Sequence, residues 1–217
     1  MTSSAHPAGA RRVVVLGATG RVGGAAVELA LADGYDVLAV ARRPEALQGR
    51  HERLRVVTGD TTDPESLTSA LSGLPADSVV VMAVGADPLK ASTLVGDTVA
   101  NLVAVMPQVG LHRYVGVSGV AQMPATPLGR LTQAALRRAV KAAVDHQRAF
   151  DVLVGSDLDW VVAGCPYIKD GHPAGRAQEH TTRFPGGYRV IAPRDVAMFL
   201  VRHTHDRSRH REIIGLW

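Results

Sequence analysis

Residues Val13 to Gly23 constrain this chain more than any other stretch: Val-Val-Val-Leu runs directly into Gly-Ala-Thr-Gly-Arg-Val-Gly. Four consecutive branched apolar residues suit a strand covered on both faces. Gly17, Gly20 and Gly23 then follow at the spacing G-x-x-G-x-x-G. The pattern predicts a strand, a tight turn and a helix. A pyrophosphate over such a turn needs backbone N–H groups at close range, which a residue without a Cβ permits, and the positive end of a helix favours the anion. Gly17 is expected to let the chain turn, Gly20 to clear space for phosphates, and Gly23 to let helix and strand pack closely. Thr19, Arg21 and Val22 join them as candidate contacts. The helical pattern of Val22, Ala25, Ala26, Leu29 and Ala30 and a second strand, Tyr35 to Ala41, complete the strand–helix–strand setting that a dinucleotide fingerprint requires.

The second strand ends at Arg42-Arg43-Pro44. An NAD-selective site places Asp or Glu at this point for the ribose hydroxyls, whereas a 2'-phosphate calls for arginine. Arg42 and Arg43 therefore point to NADP. A third strand, Leu54 to Thr58, leads into Gly59-Asp60-Thr61-Thr62-Asp63-Pro64. Asp60 and Thr61 stand at its carboxyl end, where Asp60 either accepts from an adenine amino group or serves the turn. Asp63 before Pro64 and Glu65 predicts a helix cap, with the helix running to about Leu71.

A fourth strand, Asp77 to Val84, is followed by Gly85, and its end, Ala83-Val84-Gly85, is expected beside the adenosine ribose. A helix from Ser92 to about Val109 buries Val95, Val99, Leu102, Val103 and Met106, and Pro107 should kink or end it near Met106. The fifth strand, Arg113 to Val117, ends at Ser118-Gly119. Ligands of open parallel sheets bind beyond the carboxyl ends of the strands, so Ser118 is a candidate catalytic and cofactor-binding residue, its hydroxyl holding a substrate carbonyl or an amide. A loop with Pro124 and Pro127 precedes one long helix, Gly129 to Leu153. The sixth strand, Leu158 to Ala163, is followed by an aperiodic stretch, 164–187, long enough to suggest a substrate-covering loop. A short strand, Tyr188 to Ala192, a helix from Pro193 to His203 and a strand from Glu212 to Leu216 close the chain.

The whole predicts a single α/β domain over 1–217, with a Rossmann-type, doubly wound, mostly parallel sheet, helices on both faces and a flexible tail over 1–10. Lys and Arg number 24 against 20 Asp and Glu, a net charge of +4. No basic patch interleaved with aromatics accompanies that excess, so a nucleic-acid surface is not expected. The longest apolar runs are too short to span a bilayer, and Met1 to Ala10 lack a signal-peptide core. One cysteine, Cys165, fits a reducing compartment and a cytoplasmic location, as a packed thiol rather than a nucleophile. His203, His205 and His210 lack matched ligands for a metal and are expected to belong to a solvated basic tail.

The chain resembles the atypical short-chain dehydrogenases, and within them the NADPH-dependent flavin reductase/biliverdin reductase B group. The resemblance rests on Gly17 to Gly23, Arg42, Gly59-Asp60, Ser118, Asp145-His146, Ser156 to Trp160, Cys165-Pro166-Tyr167-Ile168 and Arg194 to Ala197. It implies that Ser118 and Gly164 to Tyr167, with Cys165 and Pro166 among them, flank the nicotinamide. Ordinary members pair a tyrosine with a lysine four residues on, which lowers the phenol pKa for proton exchange. None of Tyr35, Tyr114, Tyr167 and Tyr188 has that lysine. Tyr167 stands where the reductase group has histidine, so it is expected first as a pocket wall. Asp145 is expected to be structural or to edge the pocket.

These features together predict an NADPH-dependent reductase, monomer or homodimer, that passes hydride to a flat conjugated acceptor of flavin, quinone or bilin type. The alternative is an NADP-binding redox sensor or scaffold without turnover, as in NmrA-like proteins.

Overall fold

The computed structural model describes residues 12–47, 51–87, 90–140, 143–172 and 174–217. The expected tail, 1–10, lies outside them. The sheet begins with β1 (Arg12–Leu16), which α1 (Arg21–Ala32) connects to β2 (Asp36–Ala41). There follow β3 (Leu54–Thr58), α2 (Pro64–Leu71), β4 (Val79–Met82), α3 (Leu94–Gln108) and β5 (Arg113–Gly119). Then come α4 (Pro127–Ala139), α5 (Ala143–Val154), β6 (Asp159–Cys165), β7 (Tyr167–Ile168), β8 (Glu179–His180), β9 (Val190–Ile191), α6 (Pro193–His205) and β10 (Glu212–Leu216).

The main sheet has the order β3-β2-β1-β4-β5-β6-β10-β8, parallel except for β8, which pairs antiparallel with β10. The fold is the expected Rossmann-type one. Strand order reverses between β1 and β4, and in such sheets the crevice outside that switch point is where ligands bind. Alternation along β1 shows why the sheet is covered on both sides. Val13 and Val15 join the core under α1 and α6, whereas Val14 and Leu16 join the one under α2, α3 and α5.

Several boundaries differ from expectation. β4 is confined to Val79–Met82, although Ala83 still donates its amide to the carbonyl of Leu16. Pro107 is accommodated in the last turn of α3, which ends at Gln108. The long helix predicted from Gly129 to Leu153 is two helices, with Val140 extended after α4 and Lys141 and Ala142 outside the described residues. Tertiary packing overrides the helical propensity there, because the two halves serve different neighbours. α4 lies on the turn after β5, and α5 lies along α3, where the Asp145 carboxylate accepts the amides of Val95 and Gly96 at 2.9 Å each. Asp145 is thus the structural residue it was expected to be.

The stretch 164–187 carries more order than an aperiodic loop. Glu179 and His180 form β8 at the sheet edge, Phe184 is buried, and β7 pairs in parallel with β9 in a small separate sheet. The predicted strand Tyr188 to Ala192 shrinks to β9.

Of the histidines expected in a solvated basic tail, His205 and His210 are exposed and His203 is not. His203 is 1% exposed, with Nε2 3.3 Å from Glu179, and His210 meets Asp159 at 2.7 Å. At the amino end of β5 the buried Arg113 donates to Asp159 and to the carbonyls of His203, Asp206 and Arg209. A buried guanidinium requires partners for its fixed fork of donors, and the end of α6 and the following turn supply them. Asp159 loses something to burial, but His210 and Arg113 more than compensate and hold its carboxyl below the ordinary range.

Candidate active site

The glycines after β1 build the site. Gly17 has φ +78, and a Cβ there would stand 2.7 Å from the carbonyl carbon and oxygen of Ala83 and 2.8 Å from the amide nitrogen of Val84. The turn is therefore pressed onto the peptide that follows β4. At Gly23 a Cβ would stand 2.1 Å from the carbonyl oxygen of Gly17, so only glycine lets α1 approach the turn. Gly20 differs. Its φ is −84, it is exposed, and a Cβ there would meet only Gly17's oxygen, at 3.2 Å. At Gly85 a Cβ would meet nothing within 4 Å. Gly17 and Gly23 thus close the turn, while Gly20 and Gly85 leave space above it.

That space faces the start of α1. Gly20 precedes the helix with no side-chain cap, and its first turn holds no acid. By contrast, Asp63 caps α2, Thr126 caps α4 and Asp145 caps α3. The amides of Arg21, Val22 and Gly23 have no carbonyl of their own helix to bond, and the helix dipole adds positive potential there. A cradle free of Cβ atoms beside uncapped first-turn amides fits a pyrophosphate, so the residues present suit a dinucleotide. Thr19 and Arg21 are exposed at its mouth and Val22 is half-buried. Arg21 also pairs with Asp170 at 2.9 Å, tying the segment after β7 to the start of α1.

One strand outward, Arg42 and Arg43 are exposed past the end of β2. Arg42 lies near enough to Asp60 to favour its charge. The Asp60 carboxyl is held below its usual range chiefly by the amide and hydroxyl of Thr62, with Arg42 adding to the effect. Asp60 Oδ1 accepts both Thr62 bonds, so the turn role weighed for it is real. The Thr61 hydroxyl bonds that of Thr98 at 2.8 Å and its carbonyl accepts from Asn101, so Thr61 ties the loop to α3.

On the other side of the switch point, β5 and β6 outrun β1 and β4. Beyond the Met82–Gly116 pair, β5 continues through Ser118, opposite Gly164, to Gly119, opposite Cys165. Ser118 is 6% exposed, and among the described residues its hydroxyl has no hydrogen-bond partner. The turn that follows is held firmly. The Gly119 amide donates to Gln122 Oε1, Gln133 Nε2 donates to the carbonyls of Val120 and Met123, and Arg137 donates to that of Ala121. Sequence reasoning missed these three residues. A glutamine on the buried side of a mostly exposed helix is the signal that marks Gln133. Cys165 is buried, which pushes its thiol up, as expected of a packed cysteine, and Pro166 is half-buried. Tyr167 is 53% exposed, its ring 6.5 Å from that of Tyr188.

No phenol is poised for proton exchange here. Tyr114, four residues before Ser118, is in the core, where burial raises its pKa. His146 is likewise lowered by burial, with Asp145 opposing, which favours the neutral ring. No group of three or more His, Cys, Asp or Glu among the described residues can hold a metal, and no described helix is long and apolar enough to cross a membrane.

A parallel sheet with a glycine cradle at its switch point, an uncapped helix start and a serine at the neighbouring strand end defines a dinucleotide-binding α/β protein of Rossmann type. The chain belongs to the NAD(P)H-binding family, whose model matches residues 17–207. Solved structures share its architecture. A protein of Burkholderia pseudomallei is 25% identical with a TM-score of 0.75, over 95% of this chain and 98% of that one. ChuY, an anaerobillin reductase from Escherichia coli O157:H7, is 22% identical with a TM-score of 0.75, over 94% and 96%. A wide-type short-chain dehydrogenase/reductase from Veillonella parvula, solved with NADP, is 19% identical with a TM-score of 0.72, over 95% and 94%.

Proposed function

We propose that this NAD(P)-dependent oxidoreductase is an NADPH-dependent reductase, of the flavin reductase/biliverdin reductase B kind, that delivers hydride to a flat conjugated acceptor. The carrying observation is the juxtaposition of an open phosphate cradle at Gly20 with Ser118, a residue only 6% exposed whose hydroxyl has no hydrogen-bond partner among the described residues, in a site without a lysine-activated phenol. The uncapped amides of α1 bind the pyrophosphate. Arg42 and Arg43, exposed and cationic, supply the charge that a 2'-phosphate needs and that NAD would leave unused.

When bound, a reduced nicotinamide supplies the hydride. Ser118 then serves as a hydrogen-bond donor that orients an amide or carbonyl, its position fixed by the Gln122, Gln133 and Arg137 bonds behind it. Tyr167 borders the acceptor. A conjugated acceptor such as a flavin or bilin takes its proton from solvent, so the chain needs orientation more than a dedicated acid. The shared fold with a protein described as an anaerobillin reductase supports this acceptor class.

The test follows NADPH absorbance against a panel of flavins, quinones and bilins. Oxidation with at least one acceptor, much faster with NADPH than NADH, is expected. No turnover with any of them, together with tight and equal binding of NADP and NADPH, would replace this reading with a sensor that binds without reacting.

A further inference from the structure

Two tyrosines stand exposed on one small platform beside the site. β7 follows β6 directly, so Tyr167 lies two residues past Cys165, which pairs with Gly119 at the end of the Ser118 strand. Parallel pairing of β7 with β9, through Tyr167 N–H to the Arg189 carbonyl at 3.3 Å and Lys169 N–H to the Ile191 carbonyl at 2.9 Å, brings Tyr188 alongside. The two rings are 29° from parallel. Alternation along this ladder sends Ile168 and Ile191 toward the core and leaves Tyr167 at 53% exposure, and Tyr188, two residues before β9, is 79% exposed. The far end of β7 is drawn to the cradle by the Arg21–Asp170 pair. The aromatic pair therefore sits on a segment that spans from the end of β6 to the start of α1. Two large rings exposed side by side form a contiguous apolar surface near the end of the Ser118 strand, and near-parallel π faces suit a flat conjugated partner.

We propose that Tyr167 and Tyr188 together form the stacking platform for the acceptor, which makes Tyr188, outside the glycine and serine motifs, a specificity-determining residue. This rests on the reductase reading above, since a protein without an acceptor needs no such platform. The phenol hydroxyls are dispensable to stacking. The π faces are not.

The experiment compares wild type with Tyr167→Ala, Tyr188→Ala, the double variant and Tyr188→Phe. It reads riboflavin affinity of the NADP-saturated protein by fluorescence quenching, steady-state KM and kcat for the best acceptor of the panel, and NADPH affinity by calorimetry. Each alanine should weaken riboflavin binding and raise acceptor KM about tenfold, as loss of one stacking ring does. NADPH affinity should stay within about twofold of wild type, and Tyr188→Phe should behave as wild type. Turnover with unchanged KM and riboflavin affinity in the alanine variants would overturn the platform while leaving the reductase intact. Equal loss of NADPH binding would also overturn it, by assigning the rings to the coenzyme. Wild type that binds NADPH but reduces no acceptor would sink the reductase reading and the platform with it.

Discussion

The carboxylate of Asp145 sits on the first-turn amides of α3, accepting from Val95 at Oδ2 and from Gly96 at Oδ1. One helix thereby caps another, and the uncapped start of α1 stands out against it. Gly96 is part of the fit, because a Cβ there would stand 2.6 Å from Asp145 Oδ1. Replacing Asp145 with alanine strands two buried amides and should cost about 2 kcal/mol. That corresponds to a melting temperature lower by roughly 5 °C. Thermal denaturation followed by circular dichroism measures it, with NADPH affinity at low temperature expected to be little changed.

The glycines of the cradle should respond differently to the same added methyl. Gly20→Ala keeps an ordinary φ and meets one oxygen at 3.2 Å, so stability should hold within about 1 kcal/mol. Dinucleotide affinity should nevertheless fall tenfold or more, roughly, as the methyl occupies the phosphate space. Gly23→Ala drives a methyl into the backbone of Gly17 and should destabilise the fold by about 3 kcal/mol. Paired melting curves and calorimetric titrations separate the two. Similar melting losses in both variants would show that the cradle has no open side.

The proposed preference for NADPH rests on Arg42 and Arg43. Arg42→Asp combined with Arg43→Ala should weaken NADPH binding by about a hundredfold and NADH binding only severalfold, since two charge-assisted contacts to a phosphate are lost. An equal fall for both coenzymes would remove the 2'-phosphate assignment.

Ser118→Ala should lower kcat by about a hundredfold with the KM for NADPH nearly unchanged, if the hydroxyl orients reacting groups. A loss confined to coenzyme affinity would instead place the hydroxyl on the dinucleotide's binding surface.

Acid sensitivity should trace in part to His203. Burial lowers its pKa from the ordinary 6.5, opposed by Glu179 and Asp206. The unfolded chain then binds this proton more readily than the folded one. The contribution to stability is complete above 6.5 and is lost as the pH falls through the lower folded value. His203→Gln should flatten that part of the stability profile in urea titrations at stepped pH. An unchanged slope would mean that other groups set it.

Much of this architecture was legible in the residues. Val13 to Leu16 and the three glycines announce the switch-point turn, because apolar runs and absent Cβ atoms are local properties. The β3 strand and the Asp63-capped α2 fell where propensity and capping place them. What escaped depends on partners distant in sequence. The break after Ala139 is invisible in a stretch rich in helix formers, since it arises from α5 having to reach Val95 and Gly96. Arg113 reads as an ordinary strand residue until the carbonyls of His203, Asp206 and Arg209 are brought around it. The bonds of Thr61 to Thr98 and Asn101 on the next helix are equally invisible in the residues around Asp60. Tyr188 gave no sign of meeting Tyr167, because a ladder of two residues each is too short to leave a pattern.

The guanidinium of Arg113 gathers the end of the last helix and the turn beyond it at the rim of the sheet opposite the glycines. Anchorage and the proposed site thus occupy opposite ends of the same strand. Replacing side chains around the mouth consequently leaves the mooring beneath them untouched.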